Sequence, residues 1–273
     1  MTNIAHNPRT PASMQADTLA HALEQVATPA VTAWCWEALA ASATLVITPK
    51  GQPIRTIITG RRRITTGAYA SRKAGRAFPF EGMNERAFLM HSEVDTAVVD
   101  YRAQPFRFEF VLDGEKRTYI ADAVRLLDSG VVEVVEIKND RRFQKDLDYA
   151  LKLDCVAEVC RQIGWRFRVM YREALFEPRI CFDNVQDVQS WRLANYGETD
   201  VYCVLDRLDA CGGSQALGSL ADLIGGRPVG MAKLKAMMVG RIVRIDLSDR
   251  LSIDSEVVAV TTQTPAGRLE AVQ

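Results

Sequence analysis

The sequence predicts a mixed α/β fold, on three observations. Residues 98–138 hold a series of short apolar runs separated by turn residues, the pattern of consecutive strands. Helical periodicity flanks that block, over 81–95 and again over 143–163. Beyond about residue 176 the pattern changes to helices followed by short β segments. With 273 residues, 48% hydrophobic and 25% charged, the chain can bury one large core or two modest ones. The pattern changes divide it into 1–55, 56–175 and 176–273.

Residues 1–16 read as a tail rich in Asn, Pro, Thr and Ser. Residues 17–42 read as one or two helices interrupted near Pro29, with Trp34 and Trp36 docking them onto an apolar surface. Short β segments are expected over 44–48 and 54–59. On the helix over 81–95, Met83, Ala87, Phe88 and Met90 share a face. Glu85 lies on that helix, and Glu81 lies one turn before it in an N-terminal capping position. Strands follow over 98–102, 106–112, 117–127 and 131–138, with turns at Asp113-Gly114 and Asp128-Ser129-Gly130. The helix over 143–163 carries Leu147, Leu151, Val156, Val159 and Cys160 on its apolar side. Gly164 ends it, and WRFRVMY reads as a further strand.

The last segment is mostly helical to Leu208. After CGGSQALG, the runs SLADLIGG and GMAKLKAMMVGRIVRIDLS give helix, turn, helix and strand, and LSIDSEVVAV can pair back. That order fits a winged helix-turn-helix, a module that binds DNA or other proteins.

Several function classes are disfavoured. Apolar stretches fall short of the roughly 18–20 residues that span a bilayer, and the N-terminus lacks the basic-then-apolar order of a secretory signal, so a cytoplasmic protein is expected. Cysteines 35, 155, 160, 181, 203 and 211 form no C-x-x-C pair, and histidines occur only at 6, 21 and 91. That spacing argues against structural zinc and against histidine-dependent nucleophiles, and favours reduced thiols in the core. His91 reads as a packed or surface histidine rather than a ligand. Net charge is zero, yet residues 55–76 hold Arg55, Arg61, Arg62, Arg63, Arg72, Lys73 and Arg76 with no acid. A polyanion contact is favoured there over a solvated loop.

The most specific chemical signal is Glu136-Ile137-Lys138, closing the run VVEVV. Residues two apart in a strand project to one face, so the carboxylate and the ammonium stand together. Glu133 has the opposite parity. Asp122, at the end of the preceding strand-like run, can add a second carboxylate. An acid that holds a metal beside an amine that meets a phosphate or an activated water is the pattern of metal-dependent phosphodiester cleavage.

With Glu85 on the helix, Asp122 on the third strand and Glu136 with Lys138 on the fourth, the segment resembles a PD-(D/E)XK nuclease core. The runs SRKAGRAFPFEGMNERAFLMHSEVD, VVDYRAQPFRFEF, YIADAVRL and VVEIK resemble the catalytic domain of TnsA-like transposon endonucleases over about 61–172. A weaker similarity to that family's C-terminal winged-helix domain continues through GRIVRIDLSDRLSIDSEV. The chain departs from the family pattern around Asp122, which Ala121 and Ala123 flank instead of proline and an aromatic residue.

The resemblance implies a restriction-endonuclease-like core with an N-terminal helical extension and a C-terminal winged-helix-like domain. It implies Glu85, Asp122, Glu136 and Lys138 as catalytic residues, with Glu85, Asp122, Glu136 and the Ile137 carbonyl as ligands of Mg²⁺, for which Mn²⁺ can substitute. Lys138 would orient or activate the attacking water, or steady the scissile phosphate. Arg61, Arg62, Arg63, Arg72, Lys73 and Arg76 would run along the DNA backbone, and Gln104 would touch the site or the DNA or make a structural hydrogen bond. The implied activity is nicking at the 5′ side of transposon ends. The implied partners are end DNA, an integrase-type transposase, and an AAA+ regulator met through the C-terminal region. The alternatives are a restriction, repair or junction-resolving nuclease on the same core, or a non-catalytic DNA- or protein-binding adaptor.

Overall fold

The computed structural model describes residues 34–35, 40–41, 43–48, 53–54, 65–112 and 114–261. The first strands, β1 (Trp34–Cys35) and β2 (Ala40–Ala41), pair antiparallel. Here the helical expectation for 17–42 is corrected: these four residues are extended, and ladder pairing overrides the helix propensity of an Ala-rich run. The remainder of that expectation, and most of the β segment expected over 54–59, lies outside the described residues. β3 (Ala43–Ile47) falls within the first of the three expected divisions, yet it pairs with a strand of the central block.

β4 (Thr66–Ser71) and β5 (Arg76–Glu81) form a hairpin closed through Gly75, whose φ of 64° suits a residue without a Cβ. Helix α1 (Met83–Val94) follows, with Gly82 as its N-cap. Glu81 therefore ends a strand and does not begin the helix. The interior of α1 buries Ala87, Phe88, Leu89 and Met90, whereas Met83 is largely exposed.

The central strands form one long bent hairpin. β6 (Val98–Ala103) continues into β7 (Phe106–Leu112), and β8 (Glu115–Ile120) returns into β9 (Ala123–Leu127). β7 pairs with β8 and β3, while β6 pairs with β9. The bend lies at Gln104 and Asp122, where the Gln104 N–H donates to the Asp122 carbonyl at 2.9 Å. Gln104 takes a φ of 45°, uncommon for a residue with a side chain.

β10 (Val132–Lys138) runs antiparallel to β9. A 3₁₀ turn (Arg141–Lys145) leads to α2 (Leu147–Gln162), which crosses over to β11 (Arg166–Tyr171), parallel to β10. The resulting sheet has the order β11-β10-β9-β6. Helix α2 starts later than its periodicity predicts because Asp146 is its N-cap, accepting from the Tyr149 N–H. Leu147 is corrected from the apolar face to solvent, at 80% exposure.

The C-terminal part comprises α3 (Arg172–Phe176), α4 (Arg179–Ser190), α5 (Glu198–Ala210), β12 (Ser214–Ala216), α6 (Leu217–Leu223), α7 (Arg227–Val239), β13 (Val243–Ile245) and β14 (Glu256–Ala259). The short strands make a sheet of order β12-β14-β13. Gly230 lets α7 cross α6 closely, since a Cβ there would lie 2.1 Å from the Ala221 carbonyl oxygen.

Two apolar clusters sandwich the main sheet. On one face Tyr101, Ala103, Ala123 and Val135 pack with α1 and with C-terminal residues such as Val188, Leu208 and Leu234. On the other, Val124, Leu126, Val132 and Val134 meet Leu153, Val156, Val159 and Cys160 of α2. Strand alternation thus assigns each residue of β10 to one of two differently built sides.

Candidate active site

β10 ends where its alternation delivers Glu136 and Lys138 to the α2 side and Ile137 to the α1 side. Lys138 Nζ lies 2.6 Å from Glu136 Oε1, so the two side chains do share a face. Glu133 is on the other face, buried and bonded to the Arg125 guanidinium.

Asp122 stands in the break between β8 and β9. Its Oδ2 accepts the Ile137 N–H at 2.8 Å, one step beyond the last β9–β10 pair at Val135 and Ala123. Asp122 also lines a water-sized cavity of about 10 Å³ together with Glu85, Phe88, Leu89 and Ile137. Glu85 reaches back from the first turn of α1, and its Oε2 accepts the Glu81 N–H at 2.7 Å. The capping role expected of Glu81 is not filled: the helix has no side-chain cap at Gly82, and Glu85 instead ties the first turn to the end of β5.

Glu136 is 3% exposed and heavily bonded. Its Oε2 accepts from the Tyr119 hydroxyl at 2.7 Å, and its Oε1 accepts from the Tyr149 hydroxyl at 2.6 Å as well as from Lys138. The Lys138 ammonium also lies 4.7 Å from the centre of the Tyr149 ring. Neither tyrosine figures in the sequence reading. Their contacts join β8 and α2 to β10 through tertiary packing, and no local spacing signals such contacts.

The electrostatics follow this crowding. Burial, then the charges of Glu136 and Glu85, push the Asp122 carboxyl up to about 7 against the opposing Ile137 hydrogen bond and Lys138 charge. Burial alone would lower Lys138, but the Glu136 charge and hydrogen bond outweigh it and hold the ammonium above its ordinary range. Burial and the bond to Glu136 push the Tyr149 phenol up to about 12.

The donors fit a hard divalent cation. The side-chain donors are carboxylate oxygens, and Asp122, raised first by burial and then by the charges of Glu136 and Glu85, is a group whose ionised form a cation would favour. Among the described residues, however, no three His, Cys, Asp or Glu side chains are gathered as a ready-made metal site. Glu85 and Asp122 face one cavity, while Glu136 is held on the α2 side.

The expected basic contact is only partly accessible. Arg61, Arg62 and Arg63 lie outside the described residues. Lys73 is corrected from a DNA-facing residue to a structural one: it is 2% exposed, and its ammonium donates to the Ser92 and Asp95 carbonyls at 2.9 and 2.7 Å. Arg72 donates to the Arg192 and Ala194 carbonyls and lies over the Tyr196 ring. Arg76 is half-buried. The missing acid of the 55–76 segment is Glu93, whose buried carboxylate takes the Ser71 hydroxyl and the N–H groups of Arg72 and Lys73.

A different basic surface adjoins the site. The turn after Lys138 exposes Arg141, Arg142 and Lys145. Arg141 lies 5.1 Å from the Tyr171 ring centre, and Arg172 donates to Asn84 at 3.1 Å, in the first turn of α1. Gln104 is buried, and its Oε1 finds no partner in the structure. Its role is the bend at Asp122. His91 is packed, with Nε2 2.8 Å from the Leu175 carbonyl and its ring stacked on Phe182. Among the described residues no helix is long and apolar enough to cross a membrane.

No curated protein matches the chain. Residues 95–172 match the family model described as TnsA-like endonuclease N terminal. That span contains Asp122, Glu136, Lys138, Tyr119 and Tyr149, and Glu85 lies just before it. Over those residues, the chain is similar to the N-terminal domain of TnsA-like endonucleases.

Proposed function

We propose that the chain is a metal-dependent DNA endonuclease that nicks the 5′ side of transposon ends by hydrolysing a phosphodiester. The observation that carries this reading is that the end of β10 pairs Lys138 with Glu136 and gives its Ile137 N–H to Asp122, within the matched domain. The helix–bent hairpin–strand–helix–strand order of the central block supports a PD-(D/E)XK core. The order α5, β12, α6, α7, β13, β14 supports a winged-helix module.

Asp122 and Glu85 would hold Mg²⁺ or Mn²⁺, with the Ile137 carbonyl as a further ligand and Glu136 reaching the ion only by giving up one of its bonds to Tyr119, Tyr149 or Lys138. The bound ion would supply Lewis-acid stabilisation of phosphate charge and a more acidic water. The protein's own part is positional. The Ile137 N–H fixes one oxygen of Asp122. Glu136 holds the Lys138 ammonium at the strand end, where it can meet a non-bridging phosphate oxygen or orient the attacking water. Arg141, Arg142 and Lys145 would carry the adjoining DNA backbone, positioning the strand without reading its sequence.

An integrase-type transposase would cut the other strand, and an AAA+ regulator would contact the C-terminal helices. The test is nicking of end DNA by the full chain with its partner transposase and Mg²⁺ or Mn²⁺. Asp122→Ala, Glu136→Ala and Lys138→Ala should each abolish nicking while DNA binding persists. Cleavage unchanged in the Asp122 and Glu136 variants would sink the reading.

A further inference from the structure

Lys138 is a long side chain at the end of β10, and its use to a reaction depends on where its ammonium is held. An ammonium has three donors. One goes to Glu136 Oε1 at 2.6 Å and a second to the Tyr149 hydroxyl, whose ring centre lies 4.7 Å away. That leaves one donor for a ligand, at a strand end where the Lys138 charge still acts on Asp122.

Tyr149 closes a ring of contacts. Its hydroxyl accepts from Lys138 and donates to Glu136 Oε1 at 2.6 Å, so each of the three side chains touches the other two. Tyr119 secures the far oxygen. It donates to Glu136 Oε2 at 2.7 Å from within the α2-side core, where its ring stacks on Phe108 and meets Phe167 edge-on. A carboxylate offers about four lone-pair sites, and three of those on Glu136 are taken. Glu136 is buried and is absent from the lining of the cavity beside Asp122 and Glu85. These surroundings suit a carboxylate that holds an ammonium, and they do not suit a ligand of a cation at Asp122.

We infer that Glu136, Tyr119 and Tyr149 form one anchor that sets the position of the Lys138 ammonium, and that Glu136 serves the reaction through Lys138 and not as a metal ligand. This rests on the metal-dependent nuclease reading above, and it departs from the ligand set that the family resemblance implies. A free lysine samples many rotamers, whereas a donor already in place needs no ordering at the moment of reaction. The two tyrosines are positioning residues: Tyr119 ties the carboxylate to the core, and Tyr149 ties the carboxylate to the ammonium. Asp122, Glu85, the Ile137 carbonyl and water are left to surround the ion.

Two measurements on the full chain test the anchor. One is single-turnover nicking of end DNA with the partner transposase and Mg²⁺; the other is calorimetric binding of Mn²⁺ alone. Tyr149→Phe removes the hydroxyl and keeps the ring beside Lys138. It should slow nicking roughly 3- to 30-fold, the range for one lost hydrogen bond to a charged group, with the DNA concentration at half-maximal rate unchanged. Glu136→Gln should slow nicking at least as much. Both variants should bind Mn²⁺ within about 2-fold of the wild type, because neither loses a ligand. In a Lys138→Met background neither substitution should slow nicking further, since no ammonium remains to be placed. A loosened fold would slow the reaction in either background, so this loss of effect separates positioning from a structural role.

Mn²⁺ binding weakened about 10-fold or more by Glu136→Gln would make Glu136 a ligand and overturn the anchor. Slowing by Glu136→Gln that multiplies with that of Lys138→Met would overturn it too. Nicking at the wild-type rate by both Glu136→Gln and Tyr149→Phe would also remove the anchor, with the nuclease reading left standing on Asp122 and Lys138. A wild type that fails to nick under these conditions removes the nuclease reading, and the anchor with it.

Discussion

The Ile137 N–H donates to the Asp122 carboxylate at 2.8 Å, at the step where the β9–β10 ladder has just ended. A side chain thus takes the place of the next backbone acceptor. The same contact fixes the acid at the strand end, beside the small cavity that Asp122 and Glu85 line.

Asp122→Asn and Asp122→Ala should therefore separate chemistry from structure. Both should lose nicking by at least about 100-fold, the scale of a removed catalytic group. The Asn variant can still accept from Ile137, whereas Ala leaves that N–H without its acceptor at a cost of roughly 1–3 kcal/mol. Urea denaturation of the metal-free chain should find Ala less stable than Asn by about that margin. Equal stabilities would mean that the bond contributes nothing to the fold.

Lys138→Met should reduce single-turnover nicking by about 100-fold or more while leaving DNA affinity within about 3-fold. Lys138 is one cation beside several exposed arginines, so its loss should barely alter binding. Its position over a phosphate or water would matter only in the reaction step. A loss confined to DNA affinity would reassign Lys138 to the docking surface.

The sequence makes the Glu136–Lys138 pair legible because period-two alternation needs only one strand to be recognised. It also places Glu133 on the opposite side for the same reason. It does not show that β6 and β7 form one bent strand, since the bend depends on the Gln104 backbone bonding to Asp122, 18 positions away. The basic run 55–76 misleads by a similar route: Glu93, on the following helix, takes the Ser71 hydroxyl and the Arg72 and Lys73 backbone N–H groups, and the Arg72 and Lys73 side chains turn inward to carbonyls. Charge counts within a window cannot register a partner outside it. Tyr119 and Tyr149 escape notice because each touches Glu136 only after the sheet and α2 have packed.

Lys73 yields a pH signature. Burial lowers its ammonium to about 8, against the opposing charges of Glu93 and Asp95, from an ordinary value of 10.5. Between those two values the unfolded chain holds more protons than the folded one, so stability from this group rises with pH. Below pH 8 both states are charged and the burial cost of the ammonium is present in full. Denaturation at pH 7.5, 9 and 10 should show the wild type gaining on Lys73→Met across the window. A constant or shrinking difference would contradict a buried, weakened ammonium.

DNA docking should follow the turn after Lys138 rather than Lys73. Arg141, Arg142 and Lys145 are exposed beside the site, and each phosphate contact steepens the salt dependence of binding by about one counterion. Replacing all three with Gln should weaken end-DNA binding and lower the log–log salt slope by roughly two to three. Lys73→Met should leave the slope unchanged, because its ammonium is committed to the Ser92 and Asp95 carbonyls. Fluorescence anisotropy across a salt series would show both effects. An unchanged slope in the triple variant would move the DNA path off this turn, whereas a lower slope in Lys73→Met would mean that the buried loop opens when DNA binds.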